Sequence, residues 1–275
     1  MDMKALQCAL PSSKFAPDSN AEYTFKNPRR QLFDLPYSIM KHMIENANGA
    51  KDLYPVDELL AHMNDKITID GKDFLLAKFK DAPKSWLYKS LSRGYASNFK
   101  ISKNFKFDLR VLDLRFQRII FEEYQTLTAS GTIEKMTLHD VNVIQSDGIS
   151  ITSDILFENL RNLKELSMRF QFEKMLFETV KKMTEILPRL QKLRIFSLKF
   201  FDESFDFSFF SEFLMKNETV DVYLQRFRNL SDAYKQMLET FMENCMRNPP
   251  KRIPYISFPG CDKVKFAEYR ALYYC

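Results

Sequence analysis

Short segments that alternate apolar with polar residues recur from about residue 106 onward. This period-two pattern is typical of β-strands that bury one face. The five clearest segments are 111–116, 135–139, 165–170, 195–200 and 221–225. Residues 255–258 fit as a sixth strand after a longer interval. The second half of the chain is therefore predicted to contribute its strands to one sheet.

Segments with helical spacing lie between these strands. The predicted helices cover residues 119–127, 173–187, 207–214 and 232–246. The second is the clearest, because Val180, Met183 and Leu187 recur at three- and four-residue steps. Pro188 is expected to end it, since proline lacks the N–H that a helix interior needs.

The strands recur at a nearly constant interval. Their first apolar anchors are Leu112, Met136, Leu166, Phe196 and Val222, so the intervals are 24, 30, 30 and 26 residues. Strand and helix alternating at this period are typical of leucine-rich repeats. The predicted fold class is α/β: a leucine-rich-repeat-like solenoid with parallel strands and outer helices. The alternative is an α/β domain whose strands happen to be regularly spaced.

Two segments resemble the L-x-x-L-x-x-L-x-L entry of such repeats. One runs from Leu160 through Leu163 and Leu166 to Met168, and the other runs from Leu187 to Ile195. The asparagine or cysteine that usually follows the strand is missing, which leaves the repeat subclass open.

The amino-terminal part carries a different pattern. Residues 1–30 are predicted to be a flexible arm, residues 31–100 a small helical module and residues 101–275 the repeat domain. The first helix of the module would follow Pro36, a residue tolerated at a helix start. A second would contain Val56, Leu59, Leu60 and Met63, and residues 73–80 and 84–92 would form two more.

The segment Leu32-Phe33-Asp34-Leu35-Pro36, with the apolar residues after it, resembles the opening helix of an F-box. With the repeats, the chain resembles nematode-type F-box proteins that carry a degenerate repeat domain. The resemblance implies docking to the Skp-type adaptor of a cullin-RING ubiquitin ligase, through an apolar helical face. The implied contact residues are Leu35, Pro36, Ile39, Met43 and Ile44. Residues 56–63 could serve as the second F-box helix, but the connection to it is long and the usual Cys/Trp feature is absent. The alternative is a helical cap that shields the first repeat.

If the strands stack in register, their outward residues form two files. The basic file consists of Arg115, His139, Arg169, Lys199 and Gln225, and the polar file of Asp113, Thr137, Ser167, Ser197 and Tyr223. Neighbouring cations repel one another unless an anion lies across them. The files therefore predict a concave partner-binding groove for an acidic or phosphorylated protein segment. The alternative is a solvated face whose cations are countered by nearby acids.

Composition and motifs narrow the function further. Hydrophobic residues make up 45% of the chain and the net charge is +5, which is too mild a basic balance for a nucleic-acid-binding protein. Phe200, Phe201, Phe205, Phe207, Phe209 and Phe210 are predicted to fill the core, and the alternative is an exposed partner-binding patch. Neither a secretory signal nor a membrane span is recognisable, so a cytoplasmic or nuclear protein is expected.

No chemistry-bearing motif is found. The histidines His42, His62 and His139 are far apart, and the four cysteines lack zinc-ligand spacing. Neither nucleophile motifs nor phosphate-binding loops occur. We therefore expect a protein-binding adaptor with no catalytic residues, metal or cofactor. It would be a ligase substrate receptor or, alternatively, a leucine-rich-repeat scaffold whose amino-terminal helices are only a cap.

Overall fold

The computed structural model describes residues 54–61, 66–70, 72–75, 85–94, 105–151, 153–157, 159–169 and 177–273. The chain divides into two compact units, Met1–Lys51 and Asp52–Cys275. All described residues belong to the second unit. The predicted arm and the predicted adaptor-binding residues Leu35, Pro36, Ile39, Met43 and Ile44 lie outside the described residues.

Strands and helices alternate through most of this unit. The strands are β1 (Tyr54–Ala61), β2 (Lys66–Ile69), β3 (Lys72–Leu75), β4 (Ser85–Arg93), β5 (Phe105–Phe107), β6 (Val111–Ile120), β7 (Lys135–Ile144), β8 (Glu165–Arg169), β9 (Ile195–Lys199), β10 (Asp221–Gln225) and β11 (Tyr255–Ser257). The helices are α1 (Phe121–Thr128), α2 (Ser153–Phe157), α3 (Phe177–Ile186), α4 (Phe207–Lys216), α5 (Asp232–Arg247) and α6 (Lys263–Tyr273). A 3-10 turn, Leu187–Arg189, follows α3 and contains Pro188.

The described strands form one open, mostly parallel sheet. Their order is β11-β10-β9-β8-β7-β6-β4-β1-β2-β3, and β5 pairs with β4. From β6 to β11 each strand lies beside the next one in sequence, and all of these pairs are parallel. Among the strands that the structure describes, only the pairs β1–β2 and β2–β3 are antiparallel. The fold class is therefore α/β, as the sequence predicts at this level.

The core lies on one side of this sheet. The anchors Leu112, Met136, Leu166, Phe196 and Val222 pair with one another across β6 to β10 and are at most 1% exposed. They belong to one apolar cluster with buried helical residues such as Tyr124, Val180 and Leu238. Because side chains alternate along a strand, the residues between the anchors face away from this core.

Most predictions for the repeat region are confirmed. Each of the six predicted strands is present, and each of the four predicted helices is present within a few residues at the described ends. Asp206 begins α4 by accepting a hydrogen bond from the Phe209 N–H at 2.9 Å. The predicted aromatic core is confirmed for Phe201, Phe205, Phe207 and Phe210, which are at most 1% exposed. The short elements β5 and α2 and the eleven-residue helix α6 were not predicted.

The helical module predicted over residues 31–100 is wrong wherever the structure describes it. Residues 56–61 lie in β1, and 85–92 lie in β4. In β1 a register shift between Val56 and Glu58 breaks the alternation, so the buried residues Val56 and Leu59 mimic a helical step of three. Residues 72–75 form β3, so the helix predicted over 73–80 is also wrong in its described part.

In β4 three consecutive residues, Trp86, Leu87 and Tyr88, are all buried. Periodicity cannot distinguish such a continuous apolar run from a buried helix. β4 pairs with β6, so the sheet is continuous across residue 100 and no separate domain begins there.

Two strands extend beyond their predicted ends. Phe116 and Asp140 follow the basic-file residues of β6 and β7 and have positive φ angles of 54° and 53°. Pairing then resumes from Gln117 with Val141 to Ile120 with Ile144. The left-handed residue reverses the alternation, so a strict period-two pattern ends at it although the strand does not.

Candidate protein-binding face

The sheet register brings both predicted files together on the face away from the core. Arg115 pairs with His139, His139 with Arg169, Arg169 with Lys199, and Lys199 with Gln225. The polar file pairs in the same way from Asp113 to Tyr223, and Tyr255 extends it onto β11. The residues of both files are half-buried or exposed. We call these two files together the open face.

Two of the three permanent cations in the basic file have acidic partners. Arg115 donates two 2.8 Å hydrogen bonds to the carboxylate of Asp113, and this raises the pKa of Arg115. Arg169 Nε lies 3.1 Å from Asp140 Oδ2. Within the described residues Lys199 makes no ion pair. The alternative of a face with countered cations therefore holds for Arg115 and Arg169, but not for Lys199.

The centre of the basic file retains a net positive field. His139 Nε2 lies 3.2 Å from Ser167 Oγ. Burial lowers the pKa of His139, and the cations of Arg115, Lys199 and Arg169 lower it further, while only Asp113 opposes them. Burial is the largest cause of this shift, and the neighbouring charges add a net positive contribution that would stabilise an anion.

An aromatic ladder runs along the carboxyl ends of these strands; the sequence pattern predicted roles for Arg169 and Phe200 separately but for neither Phe116 nor Phe227. The guanidinium carbon of Arg169 lies 4.1 Å from the ring centroid of Phe200 and 5.5 Å from that of Phe116. The Phe200 ring stacks on Phe227, with centroids 4.6 Å apart. Phe227 is 56% exposed. We call these four residues the aromatic rim.

The left-handed backbone conformation of Phe200 sets the direction of its side chain in the aromatic rim. Phe200 has a φ of 59°, and bulky residues rarely adopt such an angle. Its N–H donates to the Gln225 carbonyl at 2.9 Å, and the Arg226 guanidinium donates to the carbonyls of Phe200 and Phe201. A sequence signal existed: a basic residue precedes a phenylalanine at Arg115-Phe116, Arg169-Phe170 and Lys199-Phe200.

Tyrosine side chains pack together at the end of the open face formed by β10 and β11. The Tyr273 hydroxyl at the end of α6 lies 2.6 Å from the Tyr223 hydroxyl and donates to it. The Tyr273 ring packs edge-on against Tyr255, as does that of Phe266. Tyr269, on the buried side of α6, donates to the Pro254 carbonyl. Helix α6 therefore bounds one end of the face.

The remaining reactive groups suit packing rather than chemistry. Burial raises the pKa of the Cys245 thiol to about 12 and that of Cys261 to about 11, so both stay protonated at neutral pH. A cavity of about 420 Å³ between α3 and α4 is lined mainly by apolar groups, Phe209, Phe213 and Val220 among them. In the described ranges no three His, Cys, Asp or Glu side chains gather as metal ligands would. The described helices include none with the length and apolar character of a membrane span.

Comparison with protein-family models, with curated proteins and with solved structures finds no match to this chain.

Proposed function

We propose that this protein is a non-catalytic binding module whose open face holds an extended, acidic or phosphorylated segment of a partner protein. The sheet from β6 to β11 would be a leucine-rich-repeat-like solenoid. Sequential parallel strands and anchors that pair across five of them support this architecture. The intervals of 24 to 30 residues between anchors are also typical of such repeats.

One observation carries the binding role: the open face presents cations and hydroxyls in register over five strands. Lys199 has no acidic partner in the described part of the chain, and three cations disfavour protonation of His139. Ser167, Ser197 and Thr137 add short hydroxyl groups that can donate to an extended chain. An acidic segment that crosses the strands would meet complementary charge and would not have to displace a bulky side chain.

The test uses a displayed library of random peptides, selected on the intact chain. We expect acidic peptides whose affinity falls about tenfold or more in Ser197→Tyr and in Lys199→Glu chains. Ser197→Tyr introduces a residue that is common in strands and changes no charge. The matched control is Gln236→Tyr at an exposed position of α5, which should leave binding unchanged. Selected peptides without acidic residues, or binding unaffected by Ser197→Tyr, would contradict the proposal.

A ubiquitin-ligase adaptor role is a second proposal, and the sequence around Leu35-Pro36 supports it. Residues 56–61, expected to belong to the second F-box helix, form a strand, so the support is confined to Leu35, Pro36, Ile39, Met43 and Ile44. The module would act by proximity, raising the concentration of a bound substrate near the ligase. Retention of purified Skp-type adaptor by the intact chain, lost in a folded Leu35→Asp, Ile39→Asp variant, is the expected result. If the intact chain retains no adaptor, this second proposal is wrong and the binding-module proposal stands.

A further inference from the structure

The exposed ring of Phe227 stands at the end of the aromatic rim. Phe227 is 56% exposed even though the Phe200 ring stacks on it at a centroid distance of 4.6 Å and an interplanar angle of 27°. A phenylalanine held rigidly against a second ring loses little side-chain freedom when a third group stacks on it. The rim therefore offers a preformed stacking surface at the carboxyl end of β10.

A cation without an ion pair lies close to this ring in the strand register. Lys199 immediately precedes Phe200 and pairs with Gln225, two residues before Phe227. Within the described residues it has no ion pair, whereas Arg169, on the adjacent strand, is engaged by Asp140 and the Phe200 ring. A carboxylate at Lys199 would therefore replace water and would not have to displace an existing partner.

Most of the other charged groups near the rim have partners of their own. Arg226 donates to two backbone carbonyls. The Glu203 carboxylate accepts from the Ser231 N–H at 2.6 Å and from its hydroxyl at 2.9 Å. Asp202 accepts from the Ser204 N–H at 3.0 Å. An incoming carboxylate would therefore meet acids that are already hydrogen-bonded, with Lys199 as the open cation on the sheet and the exposed Arg228, next to Phe227 in sequence, as a second cation nearby.

We propose that the partner segment carries an acidic and an aromatic residue on the same side of an extended chain, the carboxylate at Lys199 and the ring on Phe227. Same-side residues of an extended chain are two positions apart, roughly 6.6 Å. Lys199 lies on β9 and Phe227 follows the adjacent β10, about 4.8 Å away, with two residues of offset. Their backbone positions are therefore roughly 8 Å apart, and the two long side chains can make up the difference of about 1.5 Å. The inference rests on the proposed function and specifies the partner motif.

The experiment compares two short fluorescein-labelled peptides of glycine, serine and two aspartates. In one peptide a phenylalanine stands two positions after the first aspartate, and in the other an alanine replaces it. Fluorescence anisotropy with the intact chain should give about tenfold tighter binding of the phenylalanine peptide. Phe227→Ala should abolish this preference and leave the affinity for the alanine peptide unchanged.

Lys199→Met should weaken the binding of both peptides, and Gln236→Tyr should leave both affinities unchanged. Because Phe227 is largely exposed, its variant should fold, which circular dichroism can verify. Equal affinity of the two peptides, or a preference that survives Phe227→Ala, would contradict stacking of a partner ring on Phe227. The acidic-segment proposal would still stand. Binding of neither peptide would contradict both.

Discussion

The guanidinium group of Arg169 on β8 lies against the Phe200 ring at the end of β9, with its carbon 4.1 Å from the ring centroid. The same side chain places Nε 3.1 Å from the Asp140 carboxylate at the turn within β7. One arginine therefore ties three neighbouring strands together at their carboxyl ends. Its charge stabilises the fold and is only partly available to a ligand.

This contact predicts measurable coupling between the two residues. Arg169→Met and Phe200→Leu should each destabilise the protein, and the double variant should lose about 1 kcal/mol less than the sum of the single losses. The free energies come from urea unfolding of the four chains. Arg115→Met with Phe200→Leu is the matched control, because Arg115 bonds to Asp113, and that pair should be additive. Additivity of the Arg169 pair would contradict the stacking.

A buried ion pair holds β4 to α1. Arg93 Nη1 lies 2.6 Å from Glu123 Oε1, and their side chains are only 6% and 19% exposed. Arg93→Met should cost about 3 kcal/mol, since it leaves a largely buried carboxylate uncompensated. Adding Glu123→Leu should restore part of that loss. For comparison, Lys216→Met removes the exposed pair with Glu212 and should change stability by less than about 0.5 kcal/mol. If Arg93→Met lowered the free energy of unfolding by a similarly small amount, the assignment of a buried ion pair would be contradicted.

Stability should depend on pH through His139. Burial and the cations Arg115, Lys199 and Arg169 lower its pKa in the folded state. Asp113 acts in the opposite direction but does not cancel this shift. Below about pH 6.5 the unfolded chain therefore binds a proton at this position that the folded chain resists, and stability falls as pH falls. Between about pH 7.5 and about pH 5.5, the intact chain should lose more stability than His139→Gln. Equal losses would contradict the effect, and added salt should reduce the part due to the cations.

The phenylalanine core offers a test of packing. Phe205 is completely buried and contacts the rings of Phe201 and Phe210. Phe205→Ala should cost about 3–5 kcal/mol through the cavity that it leaves. For a domain of this size that corresponds to a melting temperature lower by roughly 10 °C or more. Phe227→Ala at the exposed rim should lower it far less. Equal shifts in thermal denaturation would contradict the assignment of Phe205 to the core.

The sequence predicted the strands and helices from residue 111 onward well because each of these strands buries one face. Leu112, Met136 and Phe196 alternate with polar residues, and both files of the open face followed from that alternation. The alternation could not reveal that Asp113 and Asp140 pair with Arg115 and Arg169, two of the three cations. Those contacts depend on side-chain directions and on the left-handed turn at Asp140, neither of which has a periodic signature.

Prediction failed over the described parts of residues 54–93 for a different reason. At the register shift between Val56 and Glu58, β1 buries Val56 and Leu59 at a step of three, and β4 buries both of its faces around Leu87. Each pattern fits a helix as well as a strand. The deciding contact is the pairing of β1 with β4, which joins residues about thirty positions apart and is invisible to local periodicity.

The edge of the sheet at β11 is only three residues long, and α6 packs its tyrosines against the strand and the residue before it. An edge strand invites other chains to add to its free N–H and C=O groups, and the number of such groups grows with its length. With so short a border, strand-by-strand growth into fibrils has little to start from at this side. The same helix that bounds the open face thereby also limits self-association of the sheet at this edge.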